Sequence, residues 1–263
     1  MLDTIKEKVT ALERNKRKMD YELSIVSGIQ KAILPECKNN DLLSFSVFSK
    51  SFDKVSGNYY DVFHLQDNKY GILLVDALGH DVPAALITML SKESFRENVR
   101  LYDDPADLLR KINTTICEIF KNESYSPVAF SAFFMIIDQN KKLTFCNAGH
   151  ENPCLIRTKK RKLTVLECDN FLIGVEKSMN ELYESKELLL ESGDKIMLFT
   201  DSVTEAKNNK QEQFNLEGVI HALRRTYYKS SDDILKAVVN YLNDFTDLDH
   251  FKDDTTILIT EVR

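Results

Sequence analysis

The sequence predicts an α+β fold in which largely antiparallel sheets carry helices on their outer faces. Three observations lead there. From Leu42 the apolar period changes to two, as in Ser44–Ser49, SFSVFS, the alternation of a half-buried strand. Strand-like runs outnumber helical ones along the rest of the chain. Most of those runs follow one another across short turn sequences, as hairpins do.

The chain has 263 residues, enough to bury a substantial core in one or two domains. Its formal net charge of −6 gives no overall basic field, so nucleic acid is not expected as a partner. The basic cluster Lys159-Lys160-Arg161-Lys162 lies between two strand-like runs and reads as a solvated hairpin tip, with a phosphate-binding patch as the alternative. Five cysteines (Cys37, Cys117, Cys146, Cys154, Cys168) form no CxxC. Reduced thiols in a cytoplasmic protein are therefore expected, not a disulfide framework or a zinc site. No signal-peptide pattern and no apolar run of membrane-spanning length occur, so no membrane association is expected.

The first segment, residues 1–35, reads as a long charged helix with a heptad. Leu2, Val9, Lys16, Leu23 and Gln30 fall at position a; Ile5, Leu12, Met19, Val26 and Ile33 fall at d. A narrow a/d stripe over four heptads is the coiled-coil signature, and charges fill most other positions, so Val9, Leu12, Met19, Leu23 and Val26 are expected to form a homodimer seam. The competing reading is one helix packed along its own domain. Pro35 ends the helix and Glu36–Asp41 reads as a linker to a second unit, residues 42–263.

In that unit Tyr59–Leu65 reads as a strand after the turn Ser56-Gly57-Asn58, and the apolar run Ile72–Val75 stops at Asp76. Pro83, a residue tolerated in a first turn, opens a helix to about Arg100. Asp103-Asp104-Pro105 starts a second, to about Phe120. Strands follow at 129–137, 142–147, 153–157, 163–167, 187–190 and 195–200, then helices near 216–227 and 232–245, and a last strand at 255–262.

The informative pattern is carboxylates at strand ends. Asp76, Asp201 and Asp253-Asp254 each bound an apolar strand, and Asp61 lies just inside another. Any one of them can be a turn or cap residue. If the ends meet at one rim, their repulsion costs kilocalories per pair unless they protonate or bind cations. Oxygen ligands without paired His or Cys favour Mg²⁺ or Mn²⁺, and two such ions can activate a bridging water for in-line attack on phosphorus. His80 and His150 each follow a glycine in a turn. Each is a candidate for hydrogen-bonding a substrate phosphate or for general-acid work, against the alternative of a structural hydrogen bond.

Five ordered blocks carry a family resemblance. Asp76–Leu86, DALGHDVPAAL, resembles the D-x-S-G-H-G-V-P-A-A-L stretch of SpoIIE/RsbU-like phosphatases, the bacterial branch of the metal-dependent type 2C serine/threonine protein phosphatases. Ser56–Asp61 is similar to G-G-D-Y-Y-D, Asn147–Pro153 to N-A-G-H-N-P-P, Phe199–Ala206 to Y-T-D-G-V-T-E-A, and Asp253–Thr256 to D-D-I-T. Ile29–Pro35 resembles the I-Q-x-x-L-L-P that leads from a regulatory helix into the catalytic domain.

The resemblance implies a four-layer α/β/β/α sandwich of two antiparallel sheets. It also implies a two-metal Mn²⁺ or Mg²⁺ site in which Asp76 bridges both ions, the Ala77 carbonyl is a further ligand, Asp201 and Asp253 hold one ion, and Asp254 is an outer neighbour. The expected substrate is a phosphorylated anti-anti-sigma (STAS) protein in a partner-switching pathway controlling transcription. Upstream regulators would act on the N-terminal helix. Three departures stand out: Asn58 replaces an aspartate ligand, Ser56 a glycine, and Asp81 the glycine two residues after Gly79. Asparagine keeps a carbonyl oxygen but no charge; Asp81 adds a carboxylate close by. These changes motivate a second reading, a weakened pseudophosphatase that binds a phosphoprotein without hydrolysing it. A purely structural coiled-coil adaptor fits poorly with retained Asp76, Asp201 and Asp253.

Overall fold

The computed structural model describes residues 2–79, 81–121, 128–168, 170–246 and 253–263, and among them ten strands form two five-stranded antiparallel sheets. The first sheet runs β1 (Leu43–Lys50), β10 (Thr255–Val262), β9 (Lys195–Phe199), β6 (Cys154–Arg157), β7 (Lys162–Val165); the second runs β2 (Asn58–His64), β3 (Tyr70–Ala77), β4 (Phe130–Ile137), β5 (Lys142–Ala148), β8 (Lys186–Leu189). Helices α2 (Asp81–Asn98) and α3 (Pro105–Ile119) cover the second sheet; α5 (Asn215–Arg224) and α6 (Ser231–Thr246) cover the first. This is the predicted four-layer sandwich.

Strand alternation builds the layers. In β3, Ile72 and Leu74 face the other sheet and join Phe133, Met135, Leu198 and Leu258, while Leu73 and Val75 face the helices and join Phe95, Leu109 and Ile112. A third layer sets Met197, Ile257 and Ile259 against Val219, Leu223 and Val238. Each such fully buried side chain contributes about 1.5–3 kcal/mol, so a one-residue slip of a central strand is excluded. Asp104 caps α3 by accepting from the N–H groups of Ala106 (2.9 Å) and Asp107 (3.2 Å), with Pro105 in the first turn, as its sequence predicts. The Lys159–Arg161 cluster is the exposed tip of the β6–β7 hairpin.

The N-terminal helix α1 spans Leu2–Ile33 and divides in two. Ile5, Val9, Leu12 and Met19 are exposed, whereas Leu23, Val26 and Ile33 are half-buried and Gln30 is buried. Gln30 accepts from the Ser56 N–H (2.9 Å) and donates to the Ser56 carbonyl (2.8 Å) and to Thr88 Oγ1 (3.2 Å). Lys54 pairs with Asp20 (2.6 Å), and Lys92 of α2 donates to the Ile33 carbonyl, one of those a helix end leaves open. One continuous heptad stripe therefore packs on its own chain in its second half and is uncovered in its first.

Candidate active site

Asp76 is the seventh residue of β3, on the side facing the other sheet. It stands beside Asn58 of β2 and Ser131 of β4. β9 runs toward the same rim and delivers Asp201. Sequence reading places Asp201 at a strand end; the structure makes it the first residue of a short helix, α4 (Asp201–Thr204), because Glu205 N–H turns back to its carbonyl (2.8 Å). Asp253, exposed, precedes β10. The three carboxylates, with Glu151 and Glu205, line one open cleft of about 590 Å³, and no Lys or Arg is among its described lining residues.

The electrostatics follow from that crowding. Burial, reinforced by the charges of Asp201, Asp253 and Asp254, pushes the Asp76 carboxyl up to about 8. Asp201 is also raised, first by burial and then by Glu205 and Asp253, and hydrogen-bonds to Asp76. Burial and the neighbouring acids thus favour the protonated form of Asp76 over its charged form. Glu151 is raised by burial and by Asp201 and Glu205, although Thr204 Oγ1 donates to it (3.1 Å).

The other predicted residues divide. Ala77 and Gly79 line the cleft, Gly79 with a positive φ of 93°. Asp254 is adjacent but occupied: it accepts from the N–H groups of Phe52 (2.8 Å) and Gly57 (2.5 Å). Asp61 is not brought to the cleft; it accepts from the Tyr59 hydroxyl and the Val62 N–H beneath α2. His150 lines the cleft but is buried. Its Nδ1 pairs with Ser131 Oγ (2.7 Å), its N–H donates to Asn147 Oδ1 (2.7 Å), and burial drives the ring down to about 4. Burial thus favours a neutral imidazole that makes structural hydrogen bonds, while its Nε2 is buried with no partner among the described residues. His80 lies outside the described residues, as does the side chain of Asp81, whose backbone opens α2.

Sequence reading singled out no role for Ser131, Glu151, Asn152, Leu172 or Glu205. Glu151 and Glu205 sit inside recognisable blocks, but nothing local signals that they turn toward Asp76. Gly149, at φ 68°, is required by packing as well: a Cβ there would lie 2.7 Å from the Leu172 side chain.

Among the described residues no three His, Cys, Asp or Glu side chains already surround one point as metal ligands. The donor set nonetheless fits a hard divalent cation. The carboxylate donors are oxygens with no Lys or Arg among the described lining residues. Asn58, beside Asp76 in the sheet, lines the neighbouring cavity with Gln30 and Thr88, and its Oδ1 is buried without a hydrogen-bond partner among the described residues. Asn58 Nδ2 donates to the Asp254 carbonyl (2.9 Å) and Thr256 Oγ1 (3.3 Å), contacts that no aspartate could make, and these hold the amide across the gap between sheets.

Comparison with known proteins agrees with this architecture. The chain is 25% identical over 183 residues to the phosphoserine phosphatase RsbP of Bacillus subtilis, covering 69% of this chain and 45% of that protein. It is 23% identical over 241 residues to the phosphoserine phosphatase RsbU of the same organism, covering 90% of this chain and 69% of the relative. The SiaA-PP2C domain of Pseudomonas aeruginosa superposes with a TM-score of 0.81 at 24% identity, over 94% of this chain and 98% of that one. Residues 66–263 match the model of Stage II sporulation protein E, and the chain belongs to the SpoIIE family.

Proposed function

We propose that the chain is a Mn²⁺- or Mg²⁺-dependent phosphoserine/phosphothreonine protein phosphatase. The observation that carries this reading is the meeting of Asp76, Asp201 and Asp253, from three separated strand ends, in one cleft without a lining Lys or Arg among the described residues. Asp76 would touch both cations together with the Ala77 carbonyl, Asp201 and Asp253 would hold one, and Asn58 would add a neutral oxygen. Bound there, such ions supply water activation and charge neutralisation at phosphorus. The chain's own residues do the rest. With its carboxyl pushed up by burial and by neighbouring acids, Asp76 would hold a proton that cation binding displaces. Neutral His150 holds Ser131, which in turn donates to the Asp76 carbonyl (3.4 Å) and fixes the strand that carries it.

The substrate we infer is a phosphorylated anti-anti-sigma (STAS) protein, on the strength of RsbU and RsbP, two relatives named as phosphoserine phosphatases. The uncovered half of α1 supports a homodimer through Val9, Leu12 and Met19, with Leu23 and Val26 nearer the body. Gln30 supports a switch role for that helix, since it ties α1 to the Ser56–Asn58 turn. Deleting residues 1–34 should change both oligomeric state and turnover; unchanged turnover would sink the switch. Five cysteines outside any disulfide suit the reducing cytoplasm, and no described helix is long and apolar enough to cross a membrane.

The second reading, a pseudophosphatase that binds a phosphoprotein, is favoured by Asn58 alone. Assay of p-nitrophenyl phosphate and a phosphoserine peptide with titrated Mn²⁺ separates the two. Metal-dependent turnover that Asp76→Ala abolishes supports the enzyme. An inactive parent rescued by Asn58→Asp supports the binding module.

A further inference from the structure

The cleft is framed by two uncharged apolar lips. From Val82 to Ser91, α2 carries no charged residue on any face, although its outward side is in solvent. An ordinary surface helix would carry polar groups there. Val82 and Leu86, one turn apart, are exposed on it, and Leu78, ahead of the undescribed His80 and Asp81 side chains, is exposed and lines the cleft mouth. Across the opening, Phe171-Leu172-Ile173-Gly174-Val175 is equally free of charge, with Leu172 in the cleft wall and Phe171 and Val175 exposed. These five exposed side chains show 38–58% of their surface to solvent.

The lips are held in place. Ile173 and Phe130 exchange backbone hydrogen bonds (3.0 and 3.1 Å), and the Tyr183 hydroxyl donates to the carbonyls of Phe171 (3.0 Å) and Leu172 (3.3 Å). Leu78 N–H donates to the Ala129 carbonyl (3.0 Å), and α2 is seated by buried Ala84, Ala85 and Thr88. Rigid exposed apolar side chains bind without an ordering cost.

We propose that this collar is the docking surface for the phosphoprotein, and that it selects a phosphoserine bordered by apolar side chains over one in an acidic or polar segment. This rests on the phosphatase reading. A protein whose phosphoserine reaches Asp76 passes Leu78 and Leu172 in the cleft wall, with Phe171 next to Leu172 in the chain and Leu86 exposed on α2. The carboxylate-lined floor repels acidic flanks, while the lips offer them no cation among the described residues.

The test uses the full chain with Mn²⁺ and three probes. These are p-nitrophenyl phosphate and two phosphoserine peptides differing only in flanks, leucine and valine in one, serine and glutamate in the other. The apolar-flanked peptide should have the higher kcat/KM by about tenfold or more, a preference that Leu86→Lys and Phe171→Lys each erase through KM. Turnover of the small ester should stay within about twofold in both variants, since neither residue touches the reacting group. Equal kcat/KM on the two peptides, with the ester still turned over, overturns the collar and leaves the phosphatase standing. No turnover of any probe overturns the phosphatase. Fluorescence anisotropy with the same peptides then decides the collar: preferential binding lost in Leu86→Lys sustains it, and equal binding overturns it. A Leu86→Lys variant that changes only oligomeric state by light scattering, keeping the peptide preference, makes the lips an interface between copies and also overturns it.

Discussion

The two ends of β9 handle carboxylates in opposite ways. At its start, Asp194 is almost fully buried, and its charge is met by Arg157 (3.0 Å) and the Glu191 N–H (2.9 Å). Past its other end, Asp201 shares the cleft with Asp76, Asp253 and Glu205, and no Lys or Arg is among its described lining residues. The same residue type, on either side of a five-residue strand, is thus a structural part in one place and, on the reading proposed above, a metal ligand in the other. A carboxylate that the fold already satisfies is scaffold. One that it leaves in repulsion has a use that the fold does not supply. Asp254 sharpens the point: it neighbours the cleft, yet two backbone N–H groups claim it.

The largest expected effect breaks the cleft side of this contrast. Asp76→Ala should lower Mn²⁺-dependent turnover of p-nitrophenyl phosphate by at least about a thousandfold while leaving the circular dichroism spectrum intact. Breaking the other side should cost stability instead. Arg157→Met strands Asp194 without its partner and should destabilise the chain by about 3–5 kcal/mol in urea denaturation, with Mn²⁺ affinity unchanged in the folded protein.

The pH dependence gives the contrast a sign. An unfolded aspartate titrates near 4, whereas folded Asp76 titrates at about 8, so between those values the folded state binds more protons. Metal-free stability should therefore fall as pH rises from about 4 to about 8, by on the order of a few kcal/mol, and level off above. Melting curves across that range check it. Asp76→Asn should flatten the slope, and Mn²⁺ should oppose it most at high pH, where the carboxylates need a cation. The smallest effect lies at the far edge of the site. Gln30→Ala removes three hydrogen bonds from the buried Ser56 contact and should cost about 1–3 kcal/mol, seen as faster proteolysis of α1.

Much of this was legible in the chain. Strand alternation and hairpin turns predict the two antiparallel sheets, and apolar runs ending in Asp76 and Asp201 mark the cleft. What the sequence could not carry is which neighbours satisfy which acid. Asp61, Asp76 and Asp254 look alike as strand-end residues. Only the fold brings Tyr59 to Asp61 and the Gly57 N–H to Asp254, leaving Asp76 with other acids. Glu151 was missed for the same reason, since its approach to Asp201 is a long-range consequence of β5 and β9 reaching one rim, whereas Glu205 is brought there by the local turn of α4. The heptad of α1 was visible throughout, but not that its second half is claimed by Ser56 and Thr88.

The most direct test of the central claim is calorimetric titration of Mn²⁺ into the metal-free chain at pH 8, beside Asp76→Ala. We expect saturable binding in the parent, with proton release as the raised Asp76 carboxyl is deprotonated. Affinity should be weaker by about a hundredfold or more in the variant. Equal affinity in the two proteins would mean that the carboxylates of this cleft are not ligands, and the account would fail.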